Sequence, residues 1–196
     1  NVSKQTLPPE AAIAAADACM SLVPDCIAEN EFTQAQRLIE YGQNALRRVR
    51  DHKRIAALRK LGESVADIEK QYRTVAQHAA KLKANPDDGD ANLAVGKFEC
   101  FAKGNWQVGL KHLSSGSDAM LRKLAAETLS NPGDAQSQFS VANGWWKQAD
   151  QLDGVMEERV MAYAGNFYQR ALPELTGLSK ATAEKRMAEI PESANS

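Results

Sequence analysis

Residues 85–113, NPDDGDANLAVGKFECFAKGNWQVGLKHL, decide the fold of this chain. They open with an Asn-Pro corner, because the residue before a proline is disfavoured in the helical region and the Asp and Gly residues that follow favour a turn. Apolar residues then recur at three- to four-residue spacing, stop at Lys103-Gly104-Asn105, and resume at Trp106. The stretch predicts two helices that fold back as a hairpin, with the small residue Gly96 where the helices approach closely.

The same corner returns at Asn131-Pro132, 46 residues after Asn85-Pro86. Superposing the two corners also aligns the following pairs: Asp134 with Asp88, Phe139 with Leu93, Val141 with Val95 and Ala142 with Gly96. Helix pairs that recur with a period of 20–50 residues are typical of a solenoid. Alanine is abundant, β-branched residues are few and no segment alternates as a strand would. The predicted fold is therefore all-α, an array of antiparallel helix hairpins.

A third pair of helices is predicted over residues 134–151 and 155–172. In the second of these helices Ala164, Tyr168 and Ala171 fall at the spacing A-x-x-x-Y-x-x-A-L, and Pro173 follows at once. This resembles the second helix of a tetratricopeptide repeat, in which small residues admit the neighbouring helix and an aromatic side chain fills the space beside them. The array is therefore expected to be tetratricopeptide-like.

The N-terminal part predicts a different arrangement. Residues 8–23 predict a short helix that ends at Pro24. Apolar positions between Phe32 and Val49, and again between Leu58 and Leu82, step in alternating threes and fours, which is heptad spacing. The second run predicts one long helix over residues 53–84, which needs a partner along its apolar seam. That partner is either the preceding helix, folded back on it, or a second copy of the chain.

Three regions follow from these patterns. They are a first helix with a long helical hairpin over residues 1–84, the helical repeats over 85–190, and a frayed tail over 191–196.

Composition bounds the classes of partner. The chain has 196 residues, 43% of them hydrophobic and 25% charged, so it can bury a core. A formal net charge of −1 gives no reason to expect nucleic acid or an anionic membrane as the main partner. No apolar run in the sequence approaches the ~20 residues that cross a bilayer, and no signal peptide is apparent, so membrane insertion is not expected. The chain begins without methionine, which is typical of a processed or excised piece.

The sequence contains no assembled set of reactive residues. The histidines, His52, His78 and His112, are scattered, and none has a cysteine or carboxylate at metal-ligand spacing. Sequence motifs for zinc, phosphate, dinucleotide or nucleophilic chemistry are absent. The three cysteines fit buried or idle thiols, with a disulfide between Cys19 and Cys26 as the alternative in an exported protein. No catalytic, cofactor-binding or metal-binding residue is predicted.

Two features are candidates for partner binding. The first is the basic run at the tip of the long hairpin, which has Asp51 as its one acidic interruption and includes Arg47, Arg48, Arg50, Lys53 and Arg54. It suits an ordinary solvated tip, a protein contact, or a polyanion such as nucleic acid or acidic glycan. The second is the pair Trp145 and Trp146. Neighbouring side chains on a helix are about 100° apart, so one of the two is expected to face away from the core and to pack between helices or meet a partner.

The strings NPDDGDANLAVGKFECFAKGNWQVGLKHLSSGSD, WW and NFYQRALPELTGLSKATAEKR resemble a helical region found mainly in planctomycete multidomain proteins. The resemblance covers residues 85–186, and in that family Asn143 is more often Asp and Phe167 more often Trp. It implies tetratricopeptide-like helices, often beside laminin-G-like sugar-binding or other modules, in exported or envelope-linked proteins. It implies no catalytic residue.

These observations predict a non-catalytic scaffold that binds another protein or peptide, or positions an adjoining domain of the same chain. The alternative is a structural spacer or stalk that self-associates through the long helix. An enzyme is the least favoured class, because nothing in the sequence assembles a reactive site.

Overall fold

The computed structural model describes residues 8–47 and 49–191. Across these ranges the chain forms nine α-helices and no β-strand, which confirms the all-α prediction. The chain divides into two compact units, the first ending at Thr74 and the second beginning at Val75, so the division lies within one helix.

The first unit is built from three helices. They are α1 (Pro9–Ala28), α2 (Phe32–Leu46) and the N-terminal part of α3 (His52–Ala84). All three meet at Gly42, where an added Cβ atom would lie 3.1 Å from Leu58 Cδ1 and 3.5 Å from Cys19 Cβ. The absent side chain at Gly42 thus lets α2 lie close to both of its neighbours.

The long helix α3 was predicted over residues 53–84 and is found at His52–Ala84. At 1.5 Å per residue it is about 50 Å long. Its partner in the first unit is α2: Gly42 lies against Leu58, and Phe32 lies against Tyr72 with ring centroids 5.4 Å apart. The contact late in α2 is therefore with the early part of α3, and the contact at the start of α2 is with the later part of α3. This is the register of an antiparallel pair, so α2 folds back on α3.

The predicted end of the first helix at Pro24 is wrong, because α1 continues through Pro24 to Ala28. Proline removes one backbone donor, but Pro24 lies on the exposed face of the helix, where water can satisfy the carbonyl group that loses its partner. The buried face of α1 carries small side chains, among them Ala12, Ala16 and Cys19.

The continuation of α1 also corrects the expectation that no apolar run approaches membrane-spanning length. This helix has 20 residues, and an 18-residue window within it has a mean hydropathy of 1.5, so it is long and apolar enough to cross a membrane by length and composition. The core helix of a soluble protein and a signal sequence meet the same criteria.

The second unit packs its helices around Trp145, whose side chain is fully buried. Its helices are α4 (Gly89–Lys97), α5 (Trp106–Leu113), α6 (Ala119–Leu129), α7 (Ala135–Ala149), α8 (Gly154–Ala171) and α9 (Gly177–Glu189). A π-helical turn, Phe98–Ala102, extends α4. The predicted hairpin of residues 85–113 is present, because a Cβ atom on Gly96 would lie 2.8 Å from the Leu113 side chain.

The two Asn-Pro corners share one side-chain hydrogen bond and a capping aspartate, although Asn131 alone has a positive φ angle, of 48°. At the first corner Asn92 Nδ2 donates to the Pro86 carbonyl at 2.7 Å, and at the second Gln138 Nε2 donates to the Pro132 carbonyl at 2.9 Å. The aspartates two residues after each proline, Asp88 and Asp134, cap the helices that follow. Positions 92 and 138 are again 46 residues apart, so the repeat extends to the side chains that tie each corner down.

Candidate functional site

The basic tip was predicted as a contact surface, and the structure describes four of its five residues. Arg47, Arg50 and Lys53 are exposed, and among the described residues they form no ion pair. Arg48 lies outside the described residues. Arg50 has a φ angle of 57°, the left-handed conformation that turns the chain from α2 into α3.

Arg54 has a structural role at the tip. Its guanidinium donates to Asp17 Oδ1 at 2.8 Å, on α1, and to Asp51 Oδ2 at 2.7 Å, just before α3. These hydrogen bonds, the one to Asp17 first, raise the pKa of Arg54 above its ordinary value. The Arg54 backbone N–H, together with the guanidinium, lowers the pKa of Asp51. Arg54 therefore ties α1 to the start of α3, and the remaining three cations form the accessible part of the tip.

Of the two uses predicted for the outward tryptophan, packing between helices is confirmed, whereas exposure to a partner is wrong. Trp145 is 0% exposed and Trp146 is 5% exposed. Helix α7 is covered on two sides: Trp145 Nε1 donates to Thr128 Oγ1 of α6 at 3.0 Å, while the Trp146 ring packs against Tyr168 of α8 and lies under the Arg186 guanidinium of α9. Neither tryptophan is accessible to a partner.

A groove between α6 and α7 lies in this region, with a cavity volume of about 460 Å³. Its walls come from side chains at helical spacing on the two helices. The α6 wall consists of Met120, Lys123, Leu124 and Glu127, and the α7 wall of Gln136, Phe139, Ser140, Asn143, Gly144, Lys147 and Gln148.

Gly144 sets the depth of the groove. A Cβ atom on Gly144 would lie 2.5 Å from Leu124 Cδ1, so α6 and α7 touch at this level. Because the helices are consecutive and antiparallel, Met120 lies four residues further along, level with Gln148. Met120 is 72% exposed there, a long flexible apolar side chain at the open end of the groove.

Asn143 is held on the wall of the groove by hydrogen bonds from the core side. Tyr168 Oη donates to Asn143 Oδ1 at 2.8 Å, and Arg186 Nη1 donates to the same oxygen. Burial raises the pKa of Tyr168, so the phenol stays protonated and donating at neutral pH. Asn143 therefore lines the groove while its amide oxygen is engaged from the core side.

The charges around the groove are two lysines and one glutamate. Lys123 Nζ and Glu127 Oε1 are 3.7 Å apart on a solvated helix face, a contact that contributes little stability. Lys147 is exposed and forms no ion pair within residues 8–47 and 49–191. The groove therefore has one net positive charge, whereas the chain as a whole has a formal net charge of −1.

A second cleft lies within the first unit, beside the start of α2, with a volume of about 480 Å³. Its lining includes Arg37, Glu69, Tyr72 and Arg73. Arg73 Nη2 already pairs with Glu69 Oε1 at 2.7 Å, and no large apolar side chain in the lining is exposed. This cleft lacks the apolar element of the α6–α7 groove.

A buried polar cluster surrounds the π-helical turn. Lys103 Nζ lies 3.0 Å from Glu99 Oε1, Asn105 Nδ2 donates to Glu99 Oε2 at 3.1 Å, and the Lys103 side chain is only 3% exposed. Turns of this kind often occur at functional sites. Here both carboxylate oxygens of Glu99 already have partners inside the protein, so the cluster holds the turn and offers no group to a substrate.

His112 forms a hydrogen bond across the hairpin. Its Nδ1 lies 2.8 Å from Asn92 Oδ1, and the Asn92 amide nitrogen donates to backbone carbonyls, so the histidine Nδ1–H is the donor. Burial lowers the pKa of His112, although the charge of Glu99 opposes the shift. The described residues contain no group of three or more His, Cys, Asp or Glu side chains placed to hold a metal ion. Cys19, Cys26 and Cys100 are free thiols.

Sequence reasoning missed the groove because its walls are mixed. Apolar periodicity selects the side of α7 that carries Val141, Ala142 and Trp145, whereas the groove side alternates amides, a hydroxyl, Phe139 and Lys147. One sequence signal could have indicated the groove. On α7 its lining falls at residues 136, 139–140, 143–144 and 147–148, and on α6 Met120, Lys123 and Glu127 recur at the same helical spacing.

Comparisons of this chain with protein-family models, with curated proteins and with solved structures found no match.

Proposed function

We propose that the chain is a non-catalytic helical scaffold that holds a partner protein, or an adjoining domain of a longer chain, in the groove between α6 and α7. The observation that carries this proposal is Met120, which is 72% exposed at the mouth of the groove. Leu124 and Phe139 continue the apolar surface inward. An exposed apolar side chain next to a concave apolar surface is a feature of protein contact sites.

The proposal includes a tetratricopeptide-like arrangement of the helix pairs. The two Asn-Pro corners, with equivalent hydrogen bonds from Asn92 and Gln138, support it. The resemblance to helical regions of planctomycete multidomain proteins is consistent with a role beside other domains in an exported or envelope-linked protein. In that setting Arg47, Arg50 and Lys53 of the basic tip form a second, separate contact for an acidic protein surface.

Site-specific photo-cross-linking tests the groove. A benzoylphenylalanine side chain replaces Met120 in one sample and Leu178, which is 83% exposed on α9, in the matched control. On irradiation in cells that make the native protein, position 120 is expected to give a discrete adduct with one partner, and position 178 is not. Equal labelling from both positions, or none from 120, would remove the groove as the contact surface.

The second candidate function is a self-associating spacer, and the long helix favours it. Of the 33 residues of α3, only Leu58, Val65 and Ile68 are buried, none of them beyond the midpoint of the helix. Sedimentation velocity over a hundredfold range of concentration distinguishes the two functions. A scaffold of the first kind stays monomeric throughout, whereas a spacer of this kind sediments faster as its concentration rises.

A further inference from the structure

We propose that the segment held in the α6–α7 groove is a short amphipathic helix with acidic residues beside its apolar ones. The inference rests on the proposed function, and it names the chemistry of the partner. Three properties of the groove carry it: its length, its strip of apolar side chains and its charge.

The length fits about three turns of helix. The α7 wall runs from Gln136 to Gln148, which is about 18 Å at 1.5 Å per residue. A groove between two consecutive helices suits a third helix laid along it, a recognised mode of peptide binding with anchors at i, i+3 or i+4, and i+7.

The anchors follow from the apolar strip. Met120, Leu124 and Phe139 are the large apolar side chains of the lining, and they descend from the open mouth toward the second Asn-Pro corner. Two or three leucine-like side chains on one face of the ligand helix can cover them. Met120 adapts to different ligand side chains because it has three rotatable bonds.

The charge requires acidic flanking residues. Lys147 is a cation without an ion-pair partner among the described residues, and the Lys123 contact with Glu127, at 3.7 Å, is weak enough for a ligand carboxylate to replace. Asn143 also lines the groove, and its amide oxygen is engaged by Tyr168 and Arg186. A basic ligand helix would instead face two lysines, and this repulsion selects against it.

The test is a fluorescence-polarisation titration of the whole chain. The probe is a fluorescein-labelled, alanine-based helix of fifteen residues with Leu at positions 5, 8 and 12 and Glu beside each Leu. Matched probes carry Gln or Lys in place of Glu. We expect the Glu probe to bind about tenfold more tightly than the Gln probe in low salt, with the difference shrinking as salt is added.

Variants locate the site. Lys147→Glu is expected to lower the affinity for the Glu probe about fivefold and to leave the affinity for the Gln probe unchanged, since only the charged probe pairs with this lysine. Lys111→Glu is the control, because Lys111 is an exposed lysine of the same unit outside the groove. Equal loss from both variants would overturn the assignment to the groove.

The outcomes separate this inference from the proposed function. Equal binding of the Glu and Gln probes, or no binding of either while position 120 still cross-links to a partner, overturns the acidic helix and leaves the scaffold standing. A cross-link from position 120 to a second copy of the chain also overturns it. Absence of any cross-link from position 120 removes the proposed function itself.

Discussion

The helix pairs α4–α5 and α6–α7 close in different ways. In the first pair, glycines on both helices bring the backbones together: a Cβ atom on Gly96 would lie 2.8 Å from Leu113, and one on Gly109 would lie 2.4 Å from Cys100 Sγ. In the second pair Gly144 is the one glycine of the contact, and its neighbour is the flexible end of Leu124. The first pair is sealed, and the second leaves a groove of about 460 Å³.

The difference teaches that residue size across each pair decides which surface is available to a partner, since the first Asn-Pro corner precedes α4 whereas the second lies between α6 and α7. Position 96 of the first repeat is glycine, and its equivalent, position 142, is alanine. Position 100 is cysteine, and its equivalent, position 146, is tryptophan. The larger residues of α7 fill the core on the side toward α8 and α9, so Trp146 supports the groove from behind and does not line it.

The largest effect is expected from Gly109→Ala in the sealed pair. The new methyl group meets the Cys100 backbone nitrogen at 2.8 Å as well as its sulfur, so α5 has to move, at a cost of about 3 kcal/mol. The midpoint of urea unfolding, followed by tryptophan fluorescence, measures this, because all three tryptophans lie in the second unit. Gly133→Ala is the control, since nothing lies within 4 Å of a Cβ atom there. Equal midpoints would show that the pair is not sealed.

A smaller loss is expected from Thr128→Val in the open pair. The substitution keeps the side-chain shape but removes the acceptor for Trp145 Nε1, leaving a buried donor unpaired at a cost of about 2 kcal/mol. The same unfolding experiment reports it. A Thr128→Ser variant, which keeps the hydroxyl group, should lose less than Thr128→Val. The reverse order would mean that the hydrogen bond does not hold α6 to α7.

Asn143→Asp is expected to act in opposite directions on stability and binding. A carboxylate in place of the amide accepts charge-assisted hydrogen bonds from Arg186, which stabilises the fold by about 1 kcal/mol. The same negative charge lies on the groove wall, so it should repel the acidic ligand helix and lower its binding affinity. A rise in unfolding midpoint with unchanged affinity for the Glu probe would show that position 143 does not face the ligand.

The smallest effect concerns pH and the sealed pair. Burial lowers the pKa of His112 below its ordinary value of 6.5, so the unfolded chain binds this proton more readily than the folded one. The stability contributed by neutral His112 is complete above pH 6.5 and is lost as the pH falls below it. His112→Gln, which can still donate to Asn92, should therefore lose less stability than the wild type between pH 7.5 and 5. An equal loss in both proteins would contradict the shift.

Much of the fold follows from sequence because its signals are local. The two Asn-Pro corners, the long helix and the helix hairpin come from proline, glycine and heptad spacing, each acting within a few residues. The end placed at Pro24 fails because a proline on an exposed helix face removes one hydrogen bond without ending the helix. The groove and the burial of both tryptophans depend on which helices pack against α7. Those packing partners are set by contacts between distant parts of the chain, so the local sequence does not predict them. Arg54 likewise looks like one more cation of the tip until Asp17, 37 residues earlier, is placed beside it.

The most direct test of the groove uses the five methionine methyl groups as probes. In the full chain labelled with 13C-methyl methionine, titration with the Glu probe is expected to shift the Met120 signal, assigned through Met120→Leu. The signals of Met20, Met156, Met161 and Met187 should hold their positions, since none of them lines the groove. Shifts in any of those four with Met120 unmoved would contradict the assignment of the α6–α7 groove as the surface that holds a partner.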